Sequence, residues 1–524
     1  MWHESMTRPK SEVARSGAPP DLRAPRSARM APQAEFPEKA MSRATASERV
    51  DGNDLVLQFE GPHTFDAWID AISQAREFVH FENYILRNDR VGWAFRDALV
   101  ERARAGVQVR VLYDWMGCWA TPSRYWRPFR EAGVEVRAFN PPSVRDPFGL
   151  FQRDHRKLVC VDGDVAFLGG FCIGEEWAGK GGAAPWRDTG VEVRGPGAGH
   201  LARTFERIWA ELGDPVPREV RIDLSKERRT GGLPVWVIEG LPWRSRVYRA
   251  TQLMAAVCRD RFWITDPYFV APRPVQEALA AAARDGVDVR ILVPGHNNWP
   301  WVGSLSRGGY RFLLEAGVRI FEWQGPMIHA KTSVADGLWS RIGSSNLNVA
   351  SLLGNWELDV GILDAEFASQ MEGLFLADQA SSVEVVLPGA APPARTNRVP
   401  AHEPAGVTSL EPAGVLHGGL EQILRSETKG RTLTVADLVR AGSQFGDAIA
   451  GHRTLGREDR AVLSAVAGLV LAVAVLAAVF PRFVGWATAV LFGWFGLVLS
   501  VRLAAQRIRK GWDGDGTGDG APDS

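Results

Sequence analysis

Between residues 48 and 387 the apolar positions fall into short strand-like runs separated by stretches of helical period, and this succession occurs twice. Phe81-Glu82-Asn83-Tyr84-Ile85 answers Thr265-Asp266-Pro267-Tyr268-Phe269. A helical stretch ending Ala105-Gly106, followed by Val107-Gln108-Val109-Arg110, answers one ending Asp285-Gly286, followed by Val287-Asp288-Val289-Arg290. Each reads as a helix stopped at glycine and a buried strand begun. Glu131-Ala132-Gly133-Val134 answers Glu315-Ala316-Gly317-Val318 in the same way. Strands alternating with helices predict a largely parallel sheet with helices on its faces. A succession that recurs within one chain predicts two units of one plan. The expected fold is therefore α/β, two duplicated α/β sandwich units spanning 48–225 and 226–387.

The flanking segments lack this pattern. Residues 1–47 mix Arg, Pro, Ala and Ser without periodicity and hold no long apolar core, so a disordered tail is expected rather than a secretory signal. Pro388, Pro392, Pro393, Pro400, Pro404 and Pro412 mark 388–452 as a linker, with short helices towards its end. Apolar runs over 461–480 and 483–500, parted by Pro481-Arg482, each approach the ~20 residues that cross a bilayer. Arg453, Arg457 and Arg460 precede them and Arg502, Arg507, Arg509 and Lys510 follow, a cationic border that belongs on the cytoplasmic side. The expectation is a transmembrane hairpin within 453–510 and a multi-pass protein of the cell membrane (the inner one where there are two), its catalytic units cytoplasmic. A buried helical pair in a soluble domain is the competing reading. Residues 511–524, rich in Gly and Asp, are expected to form a disordered tail.

Composition narrows the function classes. The 61 basic and 61 acidic side chains cancel, so the chain lacks the global field of a nucleic-acid protein, and no nucleic-acid partner is expected. Cys118, Cys160, Cys172 and Cys258 show neither a disulfide framework nor C-x-x-C spacing, which suits a reducing compartment and offers no metal cluster. Neither a metal nor another cofactor is expected. Among 20 tryptophans, those of Trp299-Pro300-Trp301, in a predicted loop, read either as packing or as contacts with a membrane interface.

The candidate chemistry is the pattern H-x-K-x-x-x-x-D, present once in each unit as His155, Lys157, Asp162 and as His329, Lys331, Asp336. Period-two alternation puts each histidine and its lysine on one face of a strand. The aspartates fall on the opposite parity, at Asp162-Gly163 and Asp336-Gly337, which read as hairpin turns. They complete the candidate catalytic set by motif, although bracing the hairpin or pairing with a cation is the role their position favours. Two imidazoles and two ammonium groups suit a phosphodiester. One imidazole attacks phosphorus while the other protonates the leaving alkoxide, and the lysines stabilise the charge gained by the phosphoryl oxygens. Glu82 and Asp266 are strand-end acids near such a site or packing and capping groups; Cys160 reads as a small buried residue.

These residues resemble the phospholipase D superfamily, and within it the bacterial cardiolipin synthase-like proteins, over about residues 50–390. The likeness extends to Gly169-Gly170, Gly343-Ser344-Ser345-Asn346, Trp186-Arg187-Asp188-Thr189 and Asn355-Trp356-Glu357. It implies two halves packed about a pseudo-twofold axis, a site at their interface, one histidine as the covalent phosphohistidine and the other as general acid and then base. It also implies that Asp188 and Glu357 each orient a catalytic histidine, that Ser344 and Asn346 contact the phosphate, and that His155 is the nucleophile. One departure is visible: where the first half of the family commonly reads G-G-x-N, this chain has Cys172, a weak donor in the place of an amide.

The resemblance implies a phosphatidyltransferase that makes cardiolipin from phosphatidylglycerol, with an anionic phospholipid as substrate and the membrane as partner. A hydrolytic phospholipase D differs only in letting water take the second step. A nuclease and a membrane scaffold with an impaired site are the remaining readings.

Overall fold

The computed structural model describes residues 36–143, 152–226, 228–242 and 244–387. The expected linker at 388–452, hairpin at 453–510 and tail at 511–524 lie outside these residues, as do 1–35 of the expected N-terminal tail. Among the described residues no helix is long and apolar enough to cross a membrane.

The fold is mixed α/β around one large sheet. The first half carries β1 (Arg49–Gln58), β2 (Phe78–Asn83), β3 (Gln108–Asp114), β4 (Glu135–Phe139), β5 (Arg153–Asp154), β6 (Lys157–Val161), β7 (Val165–Gly169) and β8 (Gly190–Arg194). The second carries β9 (Leu233–Gly240), β10 (Arg261–Thr265), β11 (Asp288–Pro294), β12 (Arg319–Trp323), β13 (Thr332–Ala335), β14 (Trp339–Gly343), β15 (Asn355–Leu363) and β16 (Ser382–Val385). Across the sheet the first half runs β4-β3-β2-β6-β7-β8-β1 and the second β12-β11-β10-β13-β14-β15-β9, with β16 added outside β12. The two orders correspond strand for strand and meet at the antiparallel pair β1 and β9. β1 joins the halves by pairing its first residues, Arg49 and Val50, with β9 and its later ones, Asp54 to Gln58, with β8.

Local sequence explains the repeated part. β2, β3 and β4 are parallel neighbours, as are β10, β11 and β12, because a helix lies between each successive pair. The helix Arg90–Arg104 is capped by Asp89, whose carboxylate accepts from the Gly92 N–H at 2.9 Å, and it buries Val91, Phe95 and Leu99 at four-residue spacing. Gly106 and Gly286, past the ends of two such helices, adopt φ of 93 and 97 degrees, where a side chain would be strained.

Among the described residues three cores hold the layers. The helices Pro196–Glu211 and Ala365–Ala380 share one cluster, in which Phe205 and Phe375 meet Leu158 and Val191 of the first half and Ile342 and Val360 of the second. Trp68, Phe81 and Phe95 pack on the other face of the first half, and Trp236, Ile264 and Trp339 on that of the second.

Two expectations are corrected. Residues 38–45, assigned to the N-terminal tail, form the helix Glu38–Thr45. Met41 and Thr45, one turn apart, are fully buried, Phe36 stacks on Trp339 at 5.3 Å, and the Trp236 indole N–H donates to Ser42 Oγ at 3.0 Å. An amphipathic stretch this short has no visible period, and burial against the second half makes it helical. The Trp299-Pro300-Trp301 loop is likewise short: Trp299 is the cap and Pro300 the first residue of the helix Pro300–Glu315, the position where proline is preorganised.

Candidate functional site

The histidine motifs form two matching hairpins. β6 returns through Asp162-Gly163-Asp164 into β7, and β13 through Asp336-Gly337-Leu338 into β14. Asp162 and Asp336 take left-handed backbone conformations, φ of 55 and 51 degrees, at these turns. Each carboxylate accepts three backbone N–H groups: Asp162 from Arg76, Glu77 and Phe78 at 2.8–2.9 Å, and Asp336 from Arg259, Asp260 and Arg261 at 2.9 Å. They thereby tie the turn to the start of β2 and of β10, at the opposite end of the strand from the histidine. The motif aspartates are braces, and the geometry removes them from the candidate catalytic set.

The histidines are placed by the other half of the chain. β5 pairs in parallel with Asn355 and Trp356, so the His155 N–H donates to the Trp356 carbonyl at 2.9 Å. Reciprocally, Arg187 bridges Ile328, and the His329 N–H donates to the Arg187 carbonyl at 2.6 Å. This crossed backbone pairing sets His155 Nδ1 2.9 Å from Glu357 Oε2 and His329 Nδ1 2.8 Å from Asp188 Oδ2. Arg187 strengthens the junction by gripping Asp378 of the helix Ala365–Ala380 through two bonds of 2.9 and 3.0 Å.

Each lysine turns back to its own histidine, Lys157 Nζ donating to the His155 carbonyl and Lys331 Nζ to that of His329. An ammonium has further protons for a ligand anion. Cys172 lies in the field of both lysines, and His155 feels Lys331 while His329 feels Lys157. The motifs of the two halves therefore share one site.

Burial governs its electrostatics. Burial lowers both imidazoles, His329 to about 3 with help from Lys331, against the opposing pull of the carboxylates. Burial alone would raise Glu357, but His155, Lys157 and the Ser344 hydroxyl outweigh it and take the carboxyl to about 2. Asp188 is lowered in the same sense, burial being outweighed by His329 and Lys331. Each pair is thus an ionised carboxylate facing an imidazole that keeps its proton on Nδ1, which leaves Nε2 to face a substrate. Burial and Lys157 lower Lys331 to about 8.

The supports of the two carboxylates differ. Glu357 receives the hydroxyls of Ser344 at 2.6 Å and Ser351 at 2.8 Å and the amide of Asn355 at 3.0 Å, besides His155. Asp188 receives the Trp177 indole N–H and the Thr189 backbone N–H, each at 2.8 Å. Gly170 stands where Ser344 stands in the other half, and a Cβ there would fall 2.0 Å from Asp188 Oδ1. Ser344, expected on the phosphate, thus spends its proton on Glu357. Asn346, expected on the phosphate, is 4% exposed, and among the described residues its Oδ1 has no hydrogen-bond partner. Cys172, its counterpart, is buried, and burial pushes its thiol up against the lysines' field.

Sequence reasoning missed the aromatic walls. Tyr84 lies 4.9 Å from the His155 ring and Tyr268 lies 5.8 Å from that of His329, and each stands over its own half's lysine. Their matched positions in the duplicated stretches were the available signal. Trp177 and Trp186 close the His329 side at 5.4 and 5.9 Å; Trp186 belongs to the stretch Trp186-Arg187-Asp188-Thr189 already singled out, whereas Trp177 carried no signal in the sequence. Glu82 pairs with Arg156 at 3.2 Å, and Asp266 accepts the N–H groups of Tyr268 and Leu347; both serve the frame. Among the described residues no cluster of His, Cys, Asp or Glu is arranged to hold a metal.

The family model described as "Cardiolipin synthase, PLD-like domain" matches residues 68–209 and 252–379. A cardiolipin synthase A of Pseudomonas aeruginosa is 34% identical over 352 residues, covering 66% of this chain and 71% of that protein. A cardiolipin synthase of Geobacillus thermodenitrificans is 35% identical over 340 residues, covering 62% and 66%. The crystal structure of a phosphatidylserine synthase of Haemophilus influenzae shares the fold, with a TM-score of 0.53 at 14% identity over 66% of this chain and 91% of that one.

Proposed function

The chain belongs to the cardiolipin synthase, PLD-like domain family and is an enzyme of the phospholipase D superfamily, and from that premise we propose that it makes cardiolipin from phosphatidylglycerol by two phosphatidyl transfers through a histidine. The observation that carries the reading is the crossed pair of imidazole–carboxylate dyads, each beside a lysine, in one shared site. His155 Nε2 attacks phosphorus, the bond from phosphorus to the glycerol oxygen breaks, and His329 protonates the departing alkoxide. The hydroxyl of a second phosphatidylglycerol then attacks the phosphohistidine, gives its proton to His329, and displaces Nε2 to yield cardiolipin. His329 must enter this cycle as the imidazolium. The substrate phosphate, between Lys157 and Lys331, offsets the positive field that together with burial disfavours that form. The two halves act as partners about a pseudo-twofold axis, and the apolar runs within 453–510 anchor the enzyme in the cell membrane with these halves in the cytoplasm.

The test is incubation of the full chain with phosphatidylglycerol followed by separation of the lipids. Cardiolipin with free glycerol is expected. Phosphatidic acid would replace the transferase by a hydrolase, and no product would remove the reading. Substrate labelled at phosphorus should leave label on His155 after a rapid quench; label on His329 would exchange the two roles. His155→Ala and His329→Ala should each lower turnover by several powers of ten, as members of one unit do.

A further inference from the structure

Each half raises a tryptophan-bearing loop at the same place in its plan, and both loops stand beside the catalytic groups. The chain leaves β3 into Trp115-Met116-Gly117-Cys118-Trp119, and it leaves the corresponding β11 into 295–299, ending on Trp299. Because β3 runs parallel beside β2 and β11 beside β10, the loops emerge at the strand ends from which Tyr84 and Tyr268 reach the histidines. Their roots are fixed to those tyrosines. A Cβ on Gly117 would lie 1.9 Å from the Tyr84 carbonyl oxygen, and the Leu86 N–H meets Cys118 Sγ at 3.2 Å. In the second half the Tyr268 hydroxyl donates to Asn298 Oδ1 and Asn297 Nδ2 to the Pro267 carbonyl, both at 2.8 Å. The tips nevertheless face outward: Trp119 is 72% exposed, Trp299 55% and Met116 36%. Val349, 47% exposed, adjoins Asn348, whose amide donates to the Tyr268 carbonyl.

A single exposed tryptophan needs no explanation. Two, at corresponding positions of the two halves and held against the walls of one site, need one. Tryptophan joins a large apolar body to one N–H donor, and it favours the boundary between headgroups and acyl chains. A phospholipid must bring its phosphate to His155 and His329, which are 8% and 5% exposed, while its acyl chains stay in apolar surroundings. We propose that Trp119 with Met116 and Trp299 with Val349 form a two-point docking face for the headgroup level of a phospholipid bilayer, seating the site against the membrane. This inference rests on the phospholipid reading above and adds the surface by which the two halves meet their substrate.

The test compares the full chain with its Trp119→Ser/Trp299→Ser variant. Turnover is measured in vesicles of phosphatidylglycerol and phosphatidylcholine, and on short-chain phosphatidylglycerol dissolved below its micelle concentration. The variant should match the parent on dissolved lipid and lose on the order of tenfold in vesicles, where attachment sets the effective substrate concentration. A second readout needs no turnover: in phosphatidylcholine vesicles brominated high on the acyl chains, the parent's tryptophan emission should be quenched more than the variant's. Equal vesicle turnover and equal quenching would overturn the docking face. Equal losses on dissolved and vesicle lipid would also overturn it, by placing the tryptophans in the chemistry. If the parent turned over neither lipid, the phospholipid reading would fall, and the quenching difference alone would decide whether this face meets a bilayer.

Discussion

His155 and Glu357, 202 residues apart and in different halves of the chain, are joined by a buried hydrogen bond of 2.9 Å, and His329 and Asp188 repeat the relation in the opposite direction at 2.8 Å. Neither half therefore holds a complete imidazole–carboxylate pair of its own. Glu357→Gln and Asp188→Asn should each reduce turnover by about two to four powers of ten, because an amide can stabilise the wrong tautomer and supports no imidazolium. Folding should persist, measured by circular dichroism beside the lipid assay. An unimpaired Glu357→Gln enzyme would show that the pairing is structural only.

Lys331 gives the site an alkaline limit. Burial and Lys157 lower its ammonium to about 8, so its charge is present below that pH and is lost as pH rises through it. kcat/KM, which reports the free enzyme, should fall above about pH 8. Lys331→Arg, if it folds with residual activity, should lack this limb, since a guanidinium stays charged. A parent profile flat to pH 10 would contradict the assignment.

The phosphate contacts should prove unequal. Asn346→Ala should cost about 2.7–4 kcal/mol in transition-state stabilisation, the range for one lost donor of this kind, and Cys172→Ala far less, a thiol being a weak donor. Ser344→Ala should act through Glu357, reducing kcat while leaving KM for phosphatidylglycerol nearly unchanged. If Cys172→Ala were as damaging as Asn346→Ala while still folded, the thiol would have a direct part in the reaction.

Asp162 and Asp336 should affect stability and not chemistry. Asp162→Ala removes the acceptor of three N–H groups and places alanine at φ 55 degrees. Two of those donors can turn to water, so the loss should be about 1–3 kcal/mol, read as a lower urea midpoint with kcat per folded enzyme unchanged. Asp162→Asn should recover part of it, because asparagine tolerates the left-handed region and keeps one acceptor.

What the sequence by itself determined is what depends on neighbours along the chain. Alternation put His155 with Lys157, and His329 with Lys331, on one strand face; Asp-Gly set the turns; glycine after helical runs marked where strands begin. The duplication foretold two units of one strand order. Tertiary structure alone decided the rest. The separation of His155 from Glu357 along the chain says nothing about which carboxylate it meets; that is settled by β5 pairing with Asn355 and Trp356 and by Arg187 pairing with Ile328. Ser344 was legible as a site residue, but the direction of its hydroxyl depends on the carboxylate that the fold brings to 2.6 Å. The helix Glu38–Thr45 is too short to show a period or to hold itself together. It exists because Met41 has the second half's core to enter, a partner nearly two hundred residues away at Trp236 that local patterning cannot reveal.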